Sequence, residues 1–291
     1  MNIRLIDYKE INNFPSGSAL EFFNDRLYIA GDDAKQLLVL NKRWKELERI
    51  KLFEHPSERI PKDVKTDIES SLQPSGKEHP ELLLLGSGSA ALRNKGVLVN
   101  VENGNKEEKS LDVFYERVRK SGIKELNIEA ATVVNEYAIF CNRGNLTNRD
   151  NHLIITKLDF WKHQDRVELT VLKLELPINE TNVIGISGLT YSHKNDWLLF
   201  TASTEVTQNA YDDGEIGESY IGIIENASRK IGRKSMKING ILPLSQFNKL
   251  FIKKKVESLC IQRDKTSRLK LHLVADNDTG VTYLFKVRLK V

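Results

Sequence analysis

Carboxylate side chains recur at equivalent points of this chain, close to the ends of short strand-like runs. Glu69, Glu129 and Glu257 each follow a β-branched residue at the start of a run, and Asp276 ends another run. Carboxylates that share one site repel one another unless a cation or a shared proton compensates. Calcium takes about six to eight oxygen ligands from carboxylates, carbonyls and water. If the fold brings these side chains together, we expect a calcium site made by Glu69, Glu129, Glu257 and Asp276.

Arg143 and a set of small polar residues occupy the other equivalent points. A guanidinium among carboxylates either pairs with them or binds an anionic substrate through two parallel hydrogen bonds, and the sequence leaves both alternatives open. We take Arg143 and Glu129 as the candidate catalytic residues. The candidate ligand-binding residues, which in a channel could instead hold ordered water, are Ser18, Asp32, Ser87, Asn145, Ser187 and Ser203.

An internal repeat makes these residues equivalent. Residues 16–32 align without a gap to residues 127–143: a strand of small residues, an Asn-acid turn, and an apolar strand that ends in a polar residue. Related segments start at Asp67, Ile186 and Val256. Each repeat holds four strand-like runs, a pattern typical of a propeller blade. The sequence therefore predicts an all-β fold, a five-bladed β-propeller.

The repeats predict a single domain over residues 1–291. Its blades cover, in order, residues 14–55, 64–120, 124–180, 183–240 and 252–291 together with 1–11. The last repeat ends after three strands, so we expect the N-terminal strand to complete that blade and remove an exposed edge. A six-bladed ring is the alternative, with an extra blade within residues 241–255, although residues 243–252 look more like a short helical insertion.

The fold predicts that the polar residues of the repeat converge. In a propeller the innermost strand of each blade lines a central channel, and the start of that strand lies on the same face as the end of the next. The first ring, at the strand starts, comprises Ser18, Glu69, Glu129, Ser187 and Glu257. The second ring, at the strand ends, comprises Asp32, Ser87, Arg143, Ser203 and Asp276. The acidic loop 210–218 could add cation ligands beside the rings or be a simple exposed hairpin loop.

Composition favours a small partner. The 44 basic and 40 acidic residues are interleaved and leave a net charge of only +4, which disfavours a nucleic-acid surface. The apolar runs are far shorter than the roughly 20 residues that cross a bilayer, and the N-terminus lacks the apolar core of a signal peptide. Cys141 and Cys260 lie in apolar strand-like runs, as buried thiols do. We therefore expect a cytoplasmic protein that binds neither nucleic acid nor a membrane.

Short segments of the chain resemble known propellers. Residues 127–131, 142–145, 255–259 and 274–278 are similar to the "Glu-Gly-Leu … Ser/Thr-Asp" blade pattern of phytase-like and calcium-dependent lactonase/phosphotriesterase propellers. Most of the chain also resembles a group of uncharacterised bacterial propeller proteins that share Gly-Ser-Gly-Ser, Arg-Gly-Asn and Tyr-Asp-Asp-Gly-Glu elements.

The first resemblance implies a calcium ion at the channel mouth, held by the four carboxylates above, and hydrolysis of a phosphoester or lactone. It also implies that Arg143 contacts a phosphate or oxyanion. Three features depart from the pattern. Ser18 and Ser187 stand where the enzymes have an acid, and Arg143 stands where an acid or Asn would suit calcium. The repeats also number five where phytase-like enzymes have six blades.

The expected function is binding of a small molecule or cation at the channel mouth. Metal-assisted hydrolysis of an anionic or ester substrate, with the metal polarising the scissile group or activating water, is the finer hypothesis. The alternative is a non-enzymatic scaffold that binds a protein partner through the blade faces.

Overall fold

The computed structural model describes residues 1–74, 80–176, 183–209, 214–233, 235–277 and 280–291. The strands, in chain order, are β1 (Asn2–Ile11), β2 (Gly17–Phe23), β3 (Arg26–Gly31), β4 (Gln36–Asn41), β5 (Glu46–Lys51), β6 (Ile68–Leu72), β7 (Glu81–Gly86), β8 (Lys95–Asn100), β9 (Lys106–Ser110), β10 (Ile128–Val134), β11 (Tyr137–Asn142), β12 (Asn151–Lys157), β13 (Leu169–Glu175), β14 (Ile184–Ser192), β15 (Trp197–Val206), β16 (Glu215–Glu225), β17 (Ser235–Lys237), β18 (Gly240–Pro243), β19 (Lys255–Lys265), β20 (Arg268–Asp276) and β21 (Thr282–Lys290). The α-helices are α1 (Asp112–Lys120) and α2 (Ala227–Lys230).

These strands form five separate sheets, which are the blades of one ring. From the channel outwards their orders are β2-β3-β4-β5, β6-β7-β8-β9, β10-β11-β12-β13-β17, β14-β15-β16-β18 and β19-β20-β21-β1. The innermost strands contact one another in the cyclic order β2, β6, β10, β14, β19 and back to β2. The prediction of a five-bladed propeller is confirmed. The six-bladed alternative does not hold, because residues 240–243 are an outer strand of the fourth blade.

The N-terminal strand closes the ring, as the sequence predicts. β1 pairs antiparallel with β21, from Asn2 opposite Lys290 to Ile11 opposite Thr282. Ile3 is only 5% exposed and packs into the cluster between the fourth and fifth blades. The closure therefore covers the free edge of β21 and contributes to a hydrophobic core.

The hydrophobic core is divided among the interfaces between neighbouring blades. In the described residues each of the five interfaces has its own apolar cluster. Leu37 and Leu82, for example, pack together between the first and second blades, whereas Leu38 and Leu284 pack between the first and fifth. Adjacent residues of one strand therefore serve opposite interfaces, as the alternation of side chains along a strand requires.

Two-residue turns connect the inner two strands of the first, third and fifth blades. In the first blade Asn24 and Asp25 both have positive φ, of 50° and 57°, as a two-residue hairpin turn with the twist of a β-ribbon demands. The equivalent turn of the third blade has Asn135 at φ 55°. The Asn-acid pair that marks the repeat is therefore a backbone requirement and takes no part in the site.

Three features of the blade connections differ from the expected regularity. α1 lies between the second and third blades and buries Phe114, Tyr115 and Val118. β17 adds a parallel fifth strand to the third sheet. The expected helical insertion after Pro243 consists of two short 3-10 turns, Leu244–Gln246 and Lys249–Phe251. Among the described residues no helix has both the length and the apolar character needed to cross a membrane.

Candidate functional site

The innermost strand of every blade carries a β-bulge at the same point. The pairing register shifts between residues 17 and 19, 68 and 70, 128 and 130, 186 and 188, and 256 and 258. The extra residue in each case is the first-ring residue: Ser18, Glu69, Glu129, Ser187 or Glu257. A bulge bends its strand and redirects the side chain of the extra residue. The marker of the sequence repeat is thus a backbone irregularity at the channel mouth.

A polar cavity of about 80 Å³ opens at this mouth, enough for several water molecules or one small polar molecule. We call it the mouth cavity. Its wall includes seven carboxylates and five basic side chains. The predicted site residues that line it are Ser18, Asp32, Glu69, Glu129, Arg143, Asn145, Glu257 and Asp276.

The three other predicted serines support the wall from behind. Ser87 Oγ donates to Asp67 Oδ2 at 2.6 Å, and Ser203 Oγ accepts from Arg143 Nη2 at 2.9 Å. Ser187 Oγ donates to the carbonyl of Val256 in the next blade at 2.5 Å. These hydroxyls hold charged side chains or join neighbouring blades, and the cavity wall does not include them.

Two of the lining residues also make hydrogen bonds that stabilise the surrounding backbone. Ser18 Oγ donates to the carbonyl of Ile68 in the second blade. Ser187, in the fourth blade, makes the equivalent hydrogen bond to Val256 in the fifth. The Asn145 side-chain oxygen accepts from the backbone N–H groups of Thr147 and Asn148 at 2.9 and 2.8 Å. Asn145 therefore orders the turn that borders the cavity.

A chain of buried ion pairs runs across the third, fourth and fifth blades. Arg143 Nη1 lies 3.3 Å from Glu129 Oε2, and its Nη2 lies 3.0 Å from Glu205 Oε2. Lys255 Nζ lies 3.1 Å from the same oxygen of Glu205 and 3.2 Å from Glu257 Oε1. Each charge has an opposite neighbour, as burial requires. Of the alternatives left open for Arg143, pairing with carboxylates is the one that this geometry contains.

A glycine makes room for the guanidinium that connects these blades. A Cβ atom at Gly185, on the innermost strand of the fourth blade, would lie 2.3 Å from Arg143 Nε. Such a separation is far below van der Waals contact, so any larger residue at position 185 would displace Arg143. The close approach of a side chain to the backbone is a common reason for glycine within a strand.

A second chain of ion pairs occupies the first and second blades. Lys65 Nζ pairs with Asp32 Oδ2 and lies 2.8 Å from Asp67 Oδ1. Arg93 Nη1 lies 2.8 Å from Asp67 Oδ2 and also donates to Ser89 Oγ at 2.8 Å. Asp67 thus receives three charged or hydroxyl donors in all, including Ser87, and acts as the centre of this half of the wall.

Burial sets the protonation of the carboxyls differently along the wall. Burial raises the pKa of Glu257 to about 8, although Lys255 acts in the opposite direction. Burial also opposes ionisation of Glu205, but Lys255 and Arg143 outweigh it and lower the pKa of that carboxyl to about 2. Within this network of ion pairs Glu257 therefore takes up a proton far more readily than Glu205, which stays ionised.

The same effect extends to the other half of the cavity. Burial raises the pKa of Asp32 to about 7, against the influence of Lys65. Burial, together with the neighbouring Glu129 and Asp67, raises the pKa of Glu69 well above its usual range. Perturbed carboxyls gathered in one cleft are a physical indicator of a functional site.

Some carboxyl oxygens of the wall have no hydrogen-bond partner. Glu257 Oε2 and Asp32 Oδ1 are buried and unpartnered, and Glu257 is 7% exposed. Within the described part of the chain Glu69 makes no hydrogen bond or ion pair through its carboxyl, and it too lines the cavity. Buried polar groups in folded proteins are nearly always satisfied, so these atoms require an explanation.

Sequence reasoning missed six charged residues of the wall. Two of them, Asp67 and Lys255, lie two positions before a first-ring residue, and Glu205 lies two positions after the second-ring residue Ser203. Residues two apart on a strand share a face, so this spacing was the available signal for Lys255 and Glu205, which lie on strands. The other three, Lys62, Lys65 and Arg93, come from connecting segments, where the repeat gives no register.

The carboxylates predicted to bind calcium do not fit that ion as they are arranged. Glu129 is paired with Arg143, and Glu257 shares one oxygen with Lys255. A divalent ion would have to compete with these fixed cations and would find few free oxygens, whereas calcium takes about six to eight. In this arrangement the four carboxylates therefore do not form a calcium site.

Another carboxylate group is geometrically closer to a metal site. Single carboxylate oxygens of Asp32, Asp67 and Glu69 all lie within 4.8 Å of one another. Lys65 and Arg93 already neutralise two of the three. Residues 210–213, part of the acidic loop expected to add ligands, lie outside the described residues. Residue 278, the last of the segment 274–278 that carries the resemblance, also lies outside them.

Comparisons with known proteins agree with the fold. The Myxococcus xanthus glutaminyl cyclase is similar over 99% of this chain and 97% of that one, with a TM-score of 0.56 and 9% identity. The tail fibre of Staphylococcus aureus phage P68 is similar over 100% of this chain and 53% of that one, with a TM-score of 0.50 and 11% identity. The S. aureus virginiamycin B lyase has a TM-score of 0.45 and 12% identity, over 99% of this chain and 100% of that one. At 9% and 11% identity the likeness to the cyclase and to the tail fibre shows the fold alone.

Sequence comparison identifies the family. No curated protein matches the chain. Residues 13–289 match a family described as "Family of unknown function (DUF6929)". The match includes both rings of the channel mouth and every strand except β1, and the chain therefore belongs to DUF6929, a family of unknown function.

Proposed function

We propose that the mouth cavity binds a small molecule through a primary ammonium group. The observation that carries the proposal is the unpartnered Oε2 atom of the buried Glu257 side chain in a polar cavity. Lys255 pairs with the other oxygen of this carboxyl, yet burial still raises its pKa, and an ammonium bound at Oε2 would supply further positive charge in place of the proton. The same argument applies to Glu69 and Asp32.

The number of free acceptors supports an ammonium over a metal ion. A primary ammonium has three N–H donors, and three carboxyls of the wall, Glu257, Asp32 and Glu69, retain oxygens without a partner. The volume of about 80 Å³ suits a ligand the size of ethanolamine. Elsewhere in the wall Glu205 holds Arg143 and Lys255 in place, so the ligand meets positive charges at fixed positions.

Metal-assisted hydrolysis of a phosphoester or lactone remains the finer proposal carried by the likeness to phytase-like and lactonase propellers. It requires calcium to bind the carboxylates despite Lys255 and Arg143. The setting that we propose is cytoplasmic, with a small molecule as the partner and neither nucleic acid nor a membrane. Two buried, unpaired thiols, Cys141 and Cys260, support a reducing compartment.

Isothermal titration calorimetry with ethanolamine tests the ammonium proposal. Four non-hydrogen atoms contribute at most about −1.5 kcal/mol each, so we expect a Kd between roughly 40 µM and 10 mM. Because the ammonium replaces a proton on Glu257, binding at pH 7 releases protons, and the heat varies with the ionisation enthalpy of the buffer. Affinity rises as the pH increases towards 8.

Two variants and two further ligands complete the design. Glu257→Gln should weaken ethanolamine binding at least tenfold, whereas Glu102→Gln, at an exposed turn, should leave it unchanged. Binding without proton release, or equal binding to the two variants, contradicts the proposal. Tighter binding of acetate than of ethanolamine also contradicts it. Thermal stabilisation by calcium that Glu129→Gln abolishes would instead support the metal site. If none of these ligands binds, a protein-interaction scaffold is favoured.

A further inference from the structure

A second cavity, of about 360 Å³, lies at the opposite end of the channel. The mouth cavity lies at the starts of the innermost strands, whereas this second cavity is lined by residues near their ends. All five blades contribute to it, through Phe22, Gln73, Val133, Tyr191 and Cys260, among others. It is therefore formed by the closed ring and does not exist in any single blade.

The wall of the second cavity is chemically unlike that of the mouth. Phe22 and Tyr191 line it, and the Tyr191 ring meets His193 edge-to-face with centroids 4.7 Å apart. Val133 and Ile261 add aliphatic surface. Within the described part of the chain its lining contains no lysine or arginine.

Glu21 places a carboxylate among the aromatic and aliphatic residues of this wall. It lines the cavity from the innermost strand of the first blade. Burial raises the pKa of the Cys260 thiol well above its usual range, and the negative charge of Glu21 adds to the effect. The charge of Glu21 therefore acts on the cavity near Cys260, where it favours a cation over an anion.

We propose that the second cavity binds a planar aromatic molecule that carries a cationic nitrogen. An apolar cavity of about 150 Å³ holds benzene, so 360 Å³ accommodates a bicyclic ring with a short side chain. The ring would pack against Phe22 and Tyr191 in the offset or edge-on geometry that aromatic pairs prefer. The nitrogen would pair with Glu21. This site is independent of the ammonium site at the mouth.

Calorimetry with tryptamine on the full chain tests the proposal, with indole-3-acetate as the anionic counterpart of similar size. We expect tryptamine to bind with a submillimolar Kd and indole-3-acetate to bind at least tenfold more weakly. Val133→Phe and Thr190→Phe fill the cavity from two different blades and should each weaken tryptamine at least tenfold. Glu21→Gln should weaken it about fivefold.

Matched controls separate this site from the mouth. Val113→Phe, on the exposed face of α1, and Glu257→Gln should leave tryptamine binding unchanged. Equal affinity for tryptamine and indole-3-acetate would overturn the role of Glu21. Loss of tryptamine binding in Glu257→Gln with retention in both Phe variants, or no binding to the native chain, would overturn the site. The Phe variants are assessed by thermal unfolding, and two positions keep the test open if one variant fails to fold.

Discussion

At the scale of single residues, burial places two side chains in opposite protonation regimes. Burial favours the protonated form of Glu257 at the mouth and the neutral form of His272 between the first and fifth blades. Each therefore links stability to pH, with opposite sign.

Stability should fall as the pH rises through the range in which Glu257 titrates. Its folded pKa of about 8 lies above the ordinary value of 4.5, so the folded state holds the extra proton between these limits. The stabilisation is complete below about pH 4 and is lost as the pH rises through 8, at up to roughly 1.4 kcal/mol per pH unit. Urea unfolding at pH 5 to 8 should show a shallower decline for Glu257→Gln than for the native chain. Equal slopes for the native chain, Glu257→Gln and the Glu102→Gln control would contradict this.

Stability should also fall on acidification, because of His272. Burial, with Lys286 and Lys270 nearby, lowers its pKa from 6.5 to about 3, and its Nδ1 accepts from Trp44 Nε1 at 3.0 Å. Between pH 6.5 and 3, His272 therefore binds a proton in the unfolded chain but not in the folded chain. The free energy of unfolding should decrease by up to roughly 1.4 kcal/mol per pH unit below 6.5.

The His272→Phe variant isolates this contribution. It should be about 1–3 kcal/mol less stable at pH 7, since the indole N–H of Trp44 loses its acceptor, but less sensitive to acid. Replacing His163, whose side chain is 41% exposed, by Gln is the control and should leave the acid slope unchanged. Retention of the full acid slope in His272→Phe would exclude His272 as its source.

At the scale of elements, the innermost strands do more than line a channel. The bulge in each one redirects a first-ring side chain, and in the fourth blade the glycine two residues before the bulge admits the arginine of the neighbouring blade. The buried ion-pair network therefore depends on backbone geometry as much as on the charges themselves.

Gly185→Ala should break that network. The added Cβ would displace the Arg143 guanidinium from Glu129 and Glu205, and a broken buried ion pair costs about 3–5 kcal/mol. Ethanolamine binding should weaken with it. Gly240→Ala, in the outermost strand of the same sheet, meets the flexible end of Met1 at 3.2 Å and is in ordinary contact with Ile223 at 4.0 Å, so it should cost less than about 1 kcal/mol. Equal stability of the two variants in urea unfolding would contradict the spacing argument.

At the scale of the whole molecule, ring closure depends on the first strand. Ile3→Ala removes a buried side chain from the interface between the fourth and fifth blades and should cost roughly 2–5 kcal/mol. Ile6→Ala, in the same strand but 41% exposed, should cost less than about 1 kcal/mol. Thermal unfolding of both variants measures the difference. A similar cost for both would mean that β1 contributes through its backbone pairing alone.

The sequence alone determined the fold class, the number of blades and the closing strand. Hairpin turns such as Asn24-Asp25 and alternating apolar strands are local patterns, and they repeat in register, so the five copies can be aligned without a structure. The same alignment placed seven of its ten ring residues on one cavity. Convergence follows from topology once the blades are in phase.

Only the tertiary structure decided which charges meet. Arg143 reaches Glu205 because Gly185 leaves space, and Lys65 enters the wall from a connecting segment that carries no repeat. Such contacts join residues far apart in the chain, and their partners are selected by packing, which a local pattern does not encode. Protonation is decided in the same way, because burial raises the pKa of Glu257 and ion pairs lower that of Glu205. The second cavity, built by all five blades, exists only once the ring is closed.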